Sequence, residues 1–324
     1  MRRVVCHDIG PLDRLAVEKS DDELSPGPGQ VVVEVAAAGV NYVDALFVQG
    51  RYQIKPPTPF TPGSEVAGVV VALGDGVDGW ALGDRVLTMC GLGGFASHVV
   101  LNALSLSRVP DAMELDAAAA FIQSYCTAFF ALTRRTTVGD GDVVLVLGAG
   151  GGVGLAAIDV ATALGARVIA AASSADKRDA AMRMGAEATV DYTTEDLKTR
   201  ARELSGKGGV DVVFDPVGGE AAEAALRATG PFGRHVVIGF TAGIPALPLN
   251  LVLLHNRTIL GVDWGAWTGR DPAGQRALLD EALAMVADGR LHPPAPHRYP
   301  LEDAPEVLAA LLDRGITGKA VLVP

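Results

Sequence analysis

The stretch that decides the fold is an apolar run followed at once by a glycine-rich segment, Val143-Val-Leu-Val-Leu-Gly148-Ala-Gly150-Gly151-Gly152-Val153-Gly154-Leu-Ala-Ala. Such a run predicts a buried strand, and the residues after it predict a helix. Glycines at this junction let the backbone approach a pyrophosphate, which the first N–H groups of the helix and its dipole then bind. The spacing is Gly-x-x-Gly-x-x-Gly. The number of glycines favours a dinucleotide-binding turn over a tight loop without a ligand.

The same alternation of strand and helix continues downstream as far as Gly261. Predicted strands are Val143–Leu147, Arg167–Ala172, Ala188–Val190, Val210–Asp215 and Arg234–Gly239. Predicted helices are Val153–Leu164, Ala175–Met184, Thr194–Leu204 and Glu220–Arg227. Units of this size predict an α/β domain with a parallel, doubly wound sheet covered by helices.

The residues before this region predict a β-rich domain. Short apolar runs lie between Gly, Pro and Asp turns, at Gln30–Ala37, Val66–Leu73, Asp84–Met89 and Phe95–Leu101. The Ala-rich segment Asp116–Leu132 predicts a helix. After Gly261, we expect a long helix over Pro272–Ala287 and a last strand over Lys319–Val323, in a tail that returns to the first domain.

Composition excludes several classes of protein. With 324 residues, of which 49% are hydrophobic and 20% charged, the chain can bury large cores. Its 27 Lys and Arg against 38 Asp and Glu give a net charge of −11, which disfavours nucleic acid and anionic membrane as partners. Three scattered cysteines and no signal-peptide pattern favour a cytoplasmic protein without disulfides.

The choice of dinucleotide depends on the end of the second strand, where an NAD site usually has an acidic residue. The stretch from Val160 to Ala175 contains no Asp or Glu, and it includes Ser173 and Ser174. Lys177 follows, and serine hydroxyls with a nearby lysine suit a 2′-phosphate. We therefore predict NADPH as the cofactor. The alternative is that Lys177 belongs to a solvated helix face.

The sequence does not predict a metal site. Zinc prefers Cys and His ligands, but the chain has no Cys-x-x-Cys, Cys6-His7 is a lone pair, and the other histidines fall singly or without a cysteine nearby. Without a Lewis acid to polarise an alcohol, hydride transfer to a conjugated acceptor is the better hypothesis.

Motifs along the whole chain resemble those of the quinone oxidoreductases, a branch of the medium-chain dehydrogenase/reductase superfamily that does not use zinc. The matching segments, in order, are Gly39-Val-Asn41-Tyr-Val-Asp44, Gly50-Arg-Tyr52, Pro62-Gly-Ser64-Glu65-Val-Ala-Gly68, Gly83-Asp-Arg-Val86, Gly93-Gly-Phe-Ala96, Asp215-Pro-Val-Gly-Gly219 and Gly318-Lys319-Ala-Val-Leu. Zinc-containing relatives resemble this pattern with Cys in place of Asn41 and His in place of Ser64.

The resemblance implies two domains with the nicotinamide in the cleft between them. A GroES-like catalytic domain would comprise residues 1–118 and 266–324, and a Rossmann NADP-binding domain residues 119–265. A homodimer built through the edge strand Ile259–Val262 is also expected.

The resemblance further implies individual contacts. Asn41 and Thr127 resemble nicotinamide-side positions, and Ser173, Lys177 and Tyr192 resemble a 2′-phosphate site. Gly239, Phe240, Trp264 and Gly265 resemble cleft-lining positions, and Arg314 and Lys319 resemble late cofactor contacts. Phe240 and Trp264 are equally compatible with core aromatics. Charged residues in the positions of Arg314 and Lys319 are more often surface charges than ligands.

The implied reaction is hydride transfer from NADPH to a quinone or another conjugated carbonyl. Tyr52 is the candidate hydrogen-bond or proton donor, although a packing aromatic is an alternative. Asn41 is expected to hydrogen-bond either the carbonyl oxygen or the nicotinamide ribose. A 2-enoyl-thioester or enone reductase, and a non-catalytic NADPH-binding or sensing protein, remain alternatives.

Overall fold

The computed structural model of the chain describes residues 1–21 and 23–324. The chain forms two compact units, unit 1 of Met1–Gln123 and Pro294–Pro324, and unit 2 of Ser124–Pro293. None of the helices described is both long and apolar enough to cross a membrane.

The two units contain fifteen strands and eleven α-helices among the described residues. The strands are β1 (Arg2–Val5), β2 (Ala16–Lys19), β3 (Gln30–Val40), β4 (Glu65–Leu73), β5 (Arg85–Met89), β6 (His98–Asn102), β7 (Ser107–Arg108), β8 (Val143–Leu147), β9 (Arg167–Ala171), β10 (Ala188–Val190), β11 (Val210–Asp215), β12 (Thr229–Val237), β13 (Thr258–Gly261), β14 (His297–Pro300) and β15 (Ala320–Val323). The helices are α1 (Tyr42–Val48), α2 (Leu115–Ala119), α3 (Thr127–Phe130), α4 (Gly152–Ala163), α5 (Ala175–Arg183), α6 (Leu197–Ser205), α7 (Gly219–Ala228), α8 (Asn250–Leu253), α9 (Trp264–Arg270), α10 (Pro272–Ala287) and α11 (Ala304–Leu312).

Unit 1 is built on a mostly antiparallel sheet in the order β14-β15-β3-β4-β5-β7, with β6 also paired to β3. In β3, Val31, Val33 and Val35 enter the core of the unit while Glu34 is exposed, as alternation along a strand requires. The last strand, β15, pairs antiparallel with β3. The tail therefore completes the first sheet, as predicted.

Unit 2 contains a six-stranded parallel sheet in the order β10-β9-β8-β11-β12-β13. All five residues of β8 are buried. The chain proceeds from β8 to β9 and β10 on one side, then returns to β11 on the other side of β8. Such a reversal leaves a crevice at the carboxyl ends of the central strands, where ligands bind in folds of this kind. The predicted doubly wound sheet is confirmed.

The single helix expected over Asp116–Leu132 is wrong, because the structure divides this segment. It forms α2, a π-helical turn over Ile122–Cys126, α3, and a second π-helical turn over Ala131–Arg135. At the break, the Gln123 N–H donates to the Glu65 carboxylate at 2.9 Å. A long-range acceptor thus competes with the regular helical pattern, and composition alone does not reveal it.

The compact units do not coincide with the predicted domain limits at residues 118 and 265. Helix α10 packs against α3 and α9, which both belong to unit 2. Residues 266–293, expected in the GroES-like domain, therefore group with the doubly wound sheet.

Candidate active site

The glycine-rich turn joins β8 to α4. Gly148 has a φ of 58°, a conformation that favours glycine. A Cβ on Gly154 would lie 2.3 Å from the Gly148 carbonyl oxygen, so the first turn of α4 packs directly on the loop. A Cβ on Gly151, by contrast, would have no atom nearer than 3.5 Å. The turn therefore leaves open space beside the first N–H groups of α4, those of Gly152 and Val153, which have no partner within a helix.

Candidate phosphate contacts lie at the ends of the neighbouring strands β9 and β10. Ala171 pairs with Val190 across these strands, so Ser173 and Tyr192 both follow two residues after a paired position. The two serines are exposed, and Tyr192 is 37% exposed. Because the strands are parallel, these side chains leave the sheet at the same edge as the glycine turn.

Lys177 connects this edge to the turn. A Cβ on Gly150 would lie only 2.4 Å from both Cβ and Cγ of Lys177, so the lysine stem covers that glycine. The adjacent Arg178 is held by Asp191, with 2.9 Å between Nη1 and Oδ2. The structure thus brings Lys177 to the glycine turn, while Arg178 pairs with an acid after β10.

A buried carboxylate organises the loop after β11. Asp215 Oδ1 accepts the N–H groups of Val217 and Gly218 at 2.9 and 2.8 Å, and Oδ2 lies 2.9 Å from His235 Nε2 on β12. Gly239 and the half-exposed Phe240 follow β12 near this loop, and the Gly239 N–H reaches the Asp215 carbonyl. The sequence motif indicated Asp215, but His235 was overlooked because a lone histidine gives no signal.

The remaining unit 2 candidates are Trp264, Gly265 and Thr127. Trp264 is buried, and its indole N–H donates to Gln275 Oε1 at 2.7 Å, so its ring packs in the manner of a core aromatic. Gly265 follows it at the start of α9. Thr127 begins α3 and is buried.

In unit 1, Asn41 lies at the centre of a polar network with Lys319 and Glu65. The Lys319 ammonium donates to Asn41 Oδ1 at 2.6 Å, to Glu65 Oε1 at 2.9 Å and to the Val40 carbonyl at 3.2 Å. Asn41 Nδ2 in turn donates to Glu65 Oε1 at 2.9 Å and to Ser64 Oγ at 3.3 Å. Glu65 was not among the predicted site residues, although the Pro-Gly-x-Glu motif contains it.

Asp44 supports this network from the first turn of α1. Its Oδ2 accepts the Asn41 N–H at 2.8 Å, and the Asn41 side chain completes a capping box. Burial raises the pKa of Asp44 to about 7 from an ordinary value of 3.8, although the hydrogen bond from Asn41 opposes this rise.

The hydrogen bonds that define this network do not involve Tyr52 or Arg314. The Tyr52 ring packs edge-on against Phe47, with ring centroids 4.9 Å apart. Arg314 is exposed, and its φ of 59° places it in the left-handed region at the end of α11.

The side chains of the unit 1 network do not fit a zinc ion. Asn41 and Ser64 offer an amide and a hydroxyl instead of thiolate or imidazole, and the Lys319 ammonium already bonds to Asn41 and Glu65. Among the described residues, no group of three or more His, Cys, Asp or Glu side chains could hold a metal.

Comparison with known proteins identifies the family. The alcohol dehydrogenase GroES-like domain matches residues 27–111, and the family described as zinc-binding dehydrogenase matches residues 152–288. Quinone oxidoreductase-like protein 2 of Bos taurus is 40% identical over 93% of this chain and 88% of its own length. The chain belongs to the medium-chain dehydrogenase/reductase superfamily.

Solved structures agree with this assignment. The Escherichia coli quinone oxidoreductase, solved complexed with NADPH, is 27% identical and has a TM-score of 0.88 over the full length of both chains. A structure described as an NAD-dependent alcohol dehydrogenase is 32% identical, with a TM-score of 0.91, again over both full chains. The GroES-like and Rossmann architecture is therefore confirmed, and the chain is an oxidoreductase of this superfamily. Because neighbours this similar differ in described cofactor and activity, the acceptor has to be argued from residues.

Proposed function

We propose that this protein is an NADPH-dependent reductase that transfers a hydride to a quinone or another conjugated carbonyl without a zinc ion. The choice of NADPH as cofactor rests on the position of Lys177 over Gly150, together with the serines that follow β9. A lysine beside the turn suits the 2′-phosphate of NADPH, and residues 172–175, which follow β9 directly, include no carboxylate that would favour the ribose of NADH. The E. coli relative that was solved with NADPH supports the same choice.

A conjugated carbonyl is the proposed acceptor because the side chains around Asn41 do not fit a zinc ion, which an alcohol substrate would need. Bound NADPH would supply the hydride. The chain would orient the cofactor through its glycine turn and Ser173, Ser174, Lys177 and Tyr192, with Gly239, Phe240 and Gly265 beside the nicotinamide half. A conjugated carbonyl needs less polarisation than an alcohol, so hydride transfer to it suits a protein without a zinc ion.

Turnover with a panel of acceptors tests this proposal. We expect quinones to accelerate loss of the NADPH absorbance, whereas NADH supports slower turnover. Enones and enoyl-CoA thioesters belong in the same panel, because faster turnover of either would make the protein a reductase of that class. NADPH binding without turnover of any acceptor would instead indicate a sensing or structural protein.

Elemental analysis tests the zinc-free part separately. We expect less than stoichiometric zinc after mild chelation, with activity unchanged. One tightly held zinc per chain, with activity lost on its removal, would contradict the proposal.

A further inference from the structure

A buried histidine on β12 pairs with Asp215 at the carboxyl end of β11. The register of these two parallel strands puts Val213 opposite His235. Asp215 lies two residues beyond Val213, so its side chain is on the same face of the sheet as that of His235. The His235 ring is fully buried, Asp215 is 1% exposed, and 2.9 Å separates His235 Nε2 from Asp215 Oδ2. The pair lies wholly within unit 2, and neither residue is among those expected to contact the cofactor.

The surroundings of this histidine determine where its ring proton lies. An ionised carboxylate can only accept, so the nitrogen that faces Asp215, Nε2, must carry a proton. The other ring nitrogen, Nδ1, is buried and has no hydrogen-bond partner among the described residues. A proton on Nδ1 would therefore be an unsatisfied buried donor, which is costly. The tautomer that follows is the neutral one with its proton on Nε2, and the hydrogen bond that this ring makes is the one to Asp215.

The same carboxylate holds the loop that borders the glycine turn. Asp215 Oδ1 accepts the N–H groups of Val217 and Gly218 at 2.9 and 2.8 Å, and so fixes residues 216–218, here called the β11 loop. Strand β11 is the neighbour of β8 in the sheet. A Cβ on Gly148 would lie only 3.0 Å from Val217 Cγ2, so the β11 loop forms one wall of the glycine turn.

We propose that His235 is a positioning residue for the dinucleotide and acts through Asp215. Its Nε2–H holds the carboxylate that fixes the β11 loop against Gly148, and the glycine turn thereby keeps the shape that binds a pyrophosphate. Without this donor, a buried carboxylate oxygen loses its partner, and the carboxylate must turn toward another donor and release the loop. The inference rests on the proposed NADPH role.

Two amide substitutions of His235 test the role of the donor. The side-chain nitrogen of glutamine is as far from Cβ as histidine Nε2, whereas that of asparagine is only as far as Nδ1. His235→Gln should therefore keep the hydrogen bond to Asp215 and bind NADPH almost as tightly as the wild type. His235→Asn cannot reach Asp215 and should bind NADPH about tenfold more weakly. Equal NADPH affinity in the two variants would overturn the proposal.

A fragment of the cofactor separates positioning from a general loss of stability. Adenosine 2′,5′-bisphosphate carries the 2′-phosphate but has a single 5′-phosphate in place of the pyrophosphate. His235→Asn should bind this fragment almost as the wild type does, while its NADPH affinity falls. Val210→Ala, which leaves a cavity at the amino end of β11, is the matched control and should lower thermal stability without changing either affinity. If His235→Asn weakens both ligands alike, or if Val210→Ala weakens NADPH as much, His235 acts only on stability and the proposal fails.

An NMR spectrum of the wild type judges the inference even if His235→Asn does not fold. A long-range proton–nitrogen spectrum, in which the His235 ring is identified by its loss in His235→Gln, should place a proton on Nε2. An Nε2 without a proton could not donate to Asp215 and would overturn the positioning role.

Amide exchange judges the hold on the β11 loop independently of NADPH. The N–H groups of Val217 and Gly218 should exchange slowly with water in the wild type and in His235→Gln, and faster in His235→Asn. Equal exchange in all three proteins would overturn the positioning role. If the wild type does not bind NADPH at all, the proposed function fails, and these signals alone decide whether His235 holds the loop.

Discussion

At the scale of single residues, the choice between NADPH and NADH depends on one charge. Lys177→Met keeps the stem that covers Gly150 and removes the ammonium. A charge-assisted hydrogen bond contributes about 1.5–3 kcal/mol. We therefore expect the variant to bind NADPH about ten- to a hundredfold more weakly, and NADH almost unchanged. Dissociation constants for both cofactors, from a fluorescence titration, check this prediction.

Two further variants complete the cofactor experiment. Ser173→Asp should go further than Lys177→Met, because a carboxylate repels the 2′-phosphate and offers an acceptor to the ribose of NADH. Lys198→Ala, at an exposed lysine of α6, is the matched control and should change neither constant. If Lys177→Met weakens both cofactors alike, Lys177 does not contact the phosphate and belongs to a solvated helix face.

A second residue-scale prediction concerns Asp44 and pH. Because the pKa of this acid rises from 3.8 to about 7 on folding, the folded state binds more protons than the unfolded state between these values. The contribution of Asp44 to the free energy of unfolding must then fall as pH rises through this range, by up to about 1.4 kcal/mol per pH unit. Asp44→Asn keeps an oxygen for the Asn41 N–H and removes the titration.

Urea unfolding at several pH values checks the sign of this effect. The difference in unfolding free energy between Asp44→Asn and wild type should grow in favour of the variant from pH 4 to pH 7, the interval between the two pKa values. Asp111→Asn, at an exposed aspartate of the same unit, should follow the wild type. A difference that stays constant with pH would mean that Asp44 remains ionised throughout.

At the scale of elements, a buried carboxylate on helix α4 accepts hydrogen bonds from residues near both ends of unit 2. Asp159 Oδ2 accepts the Tyr125 hydroxyl and the His292 N–H, each at 2.7 Å. Burial raises the pKa of Asp159, although the hydrogen bonds from Tyr125 and His292 oppose this rise. Burial also raises the pKa of Tyr125. An aspartate among the buried apolar residues of a helix is costly unless these donors satisfy it.

Tyr125→Phe should therefore lower the free energy of unfolding by about 1–3 kcal/mol, since it leaves a buried acceptor short of a donor. Asp159→Asn should also destabilise the protein, and the double variant should lose less than the two losses combined. A double-mutant cycle in urea measures this coupling energy. A coupling near zero would mean that water replaces the tyrosine hydroxyl.

The elements themselves could be predicted where the signal is local. The strand Val143–Leu147 and the helix Pro272–Ala287 have the predicted bounds, because an apolar run before glycines and a proline at the helix start are properties of neighbouring residues. The break after α2 could not be predicted, since it depends on Glu65, far away in sequence. Lys319 was missed as a partner of Asn41 for the same reason: strand pairing between β15 and β3 brings them together.

At the scale of the whole molecule, the open edge of the parallel sheet predicts self-association. Strand β13 pairs with β12 on one side and ends the sheet on the other. Large apolar side chains near it in sequence are strongly exposed, with Leu249 at 75%, Leu253 at 79% and Leu254 at 54%. Exposed edges and apolar patches are usually covered, and a two-fold partner covers both at once.

We therefore expect a homodimer in solution that depends on this apolar patch. Leu253→Glu with Leu254→Glu places two charges where the partner would bury apolar surface, and burying an unpaired charge is strongly unfavourable. Light scattering at micromolar concentration should show a dimer for the wild type and a monomer for this variant. Leu82→Glu, at an exposed leucine of unit 1, should remain dimeric. A monomeric wild type would contradict the prediction. A dimeric double variant would mean that the interface does not lie at β13, because no isologous contact at this patch could bury four added carboxylates.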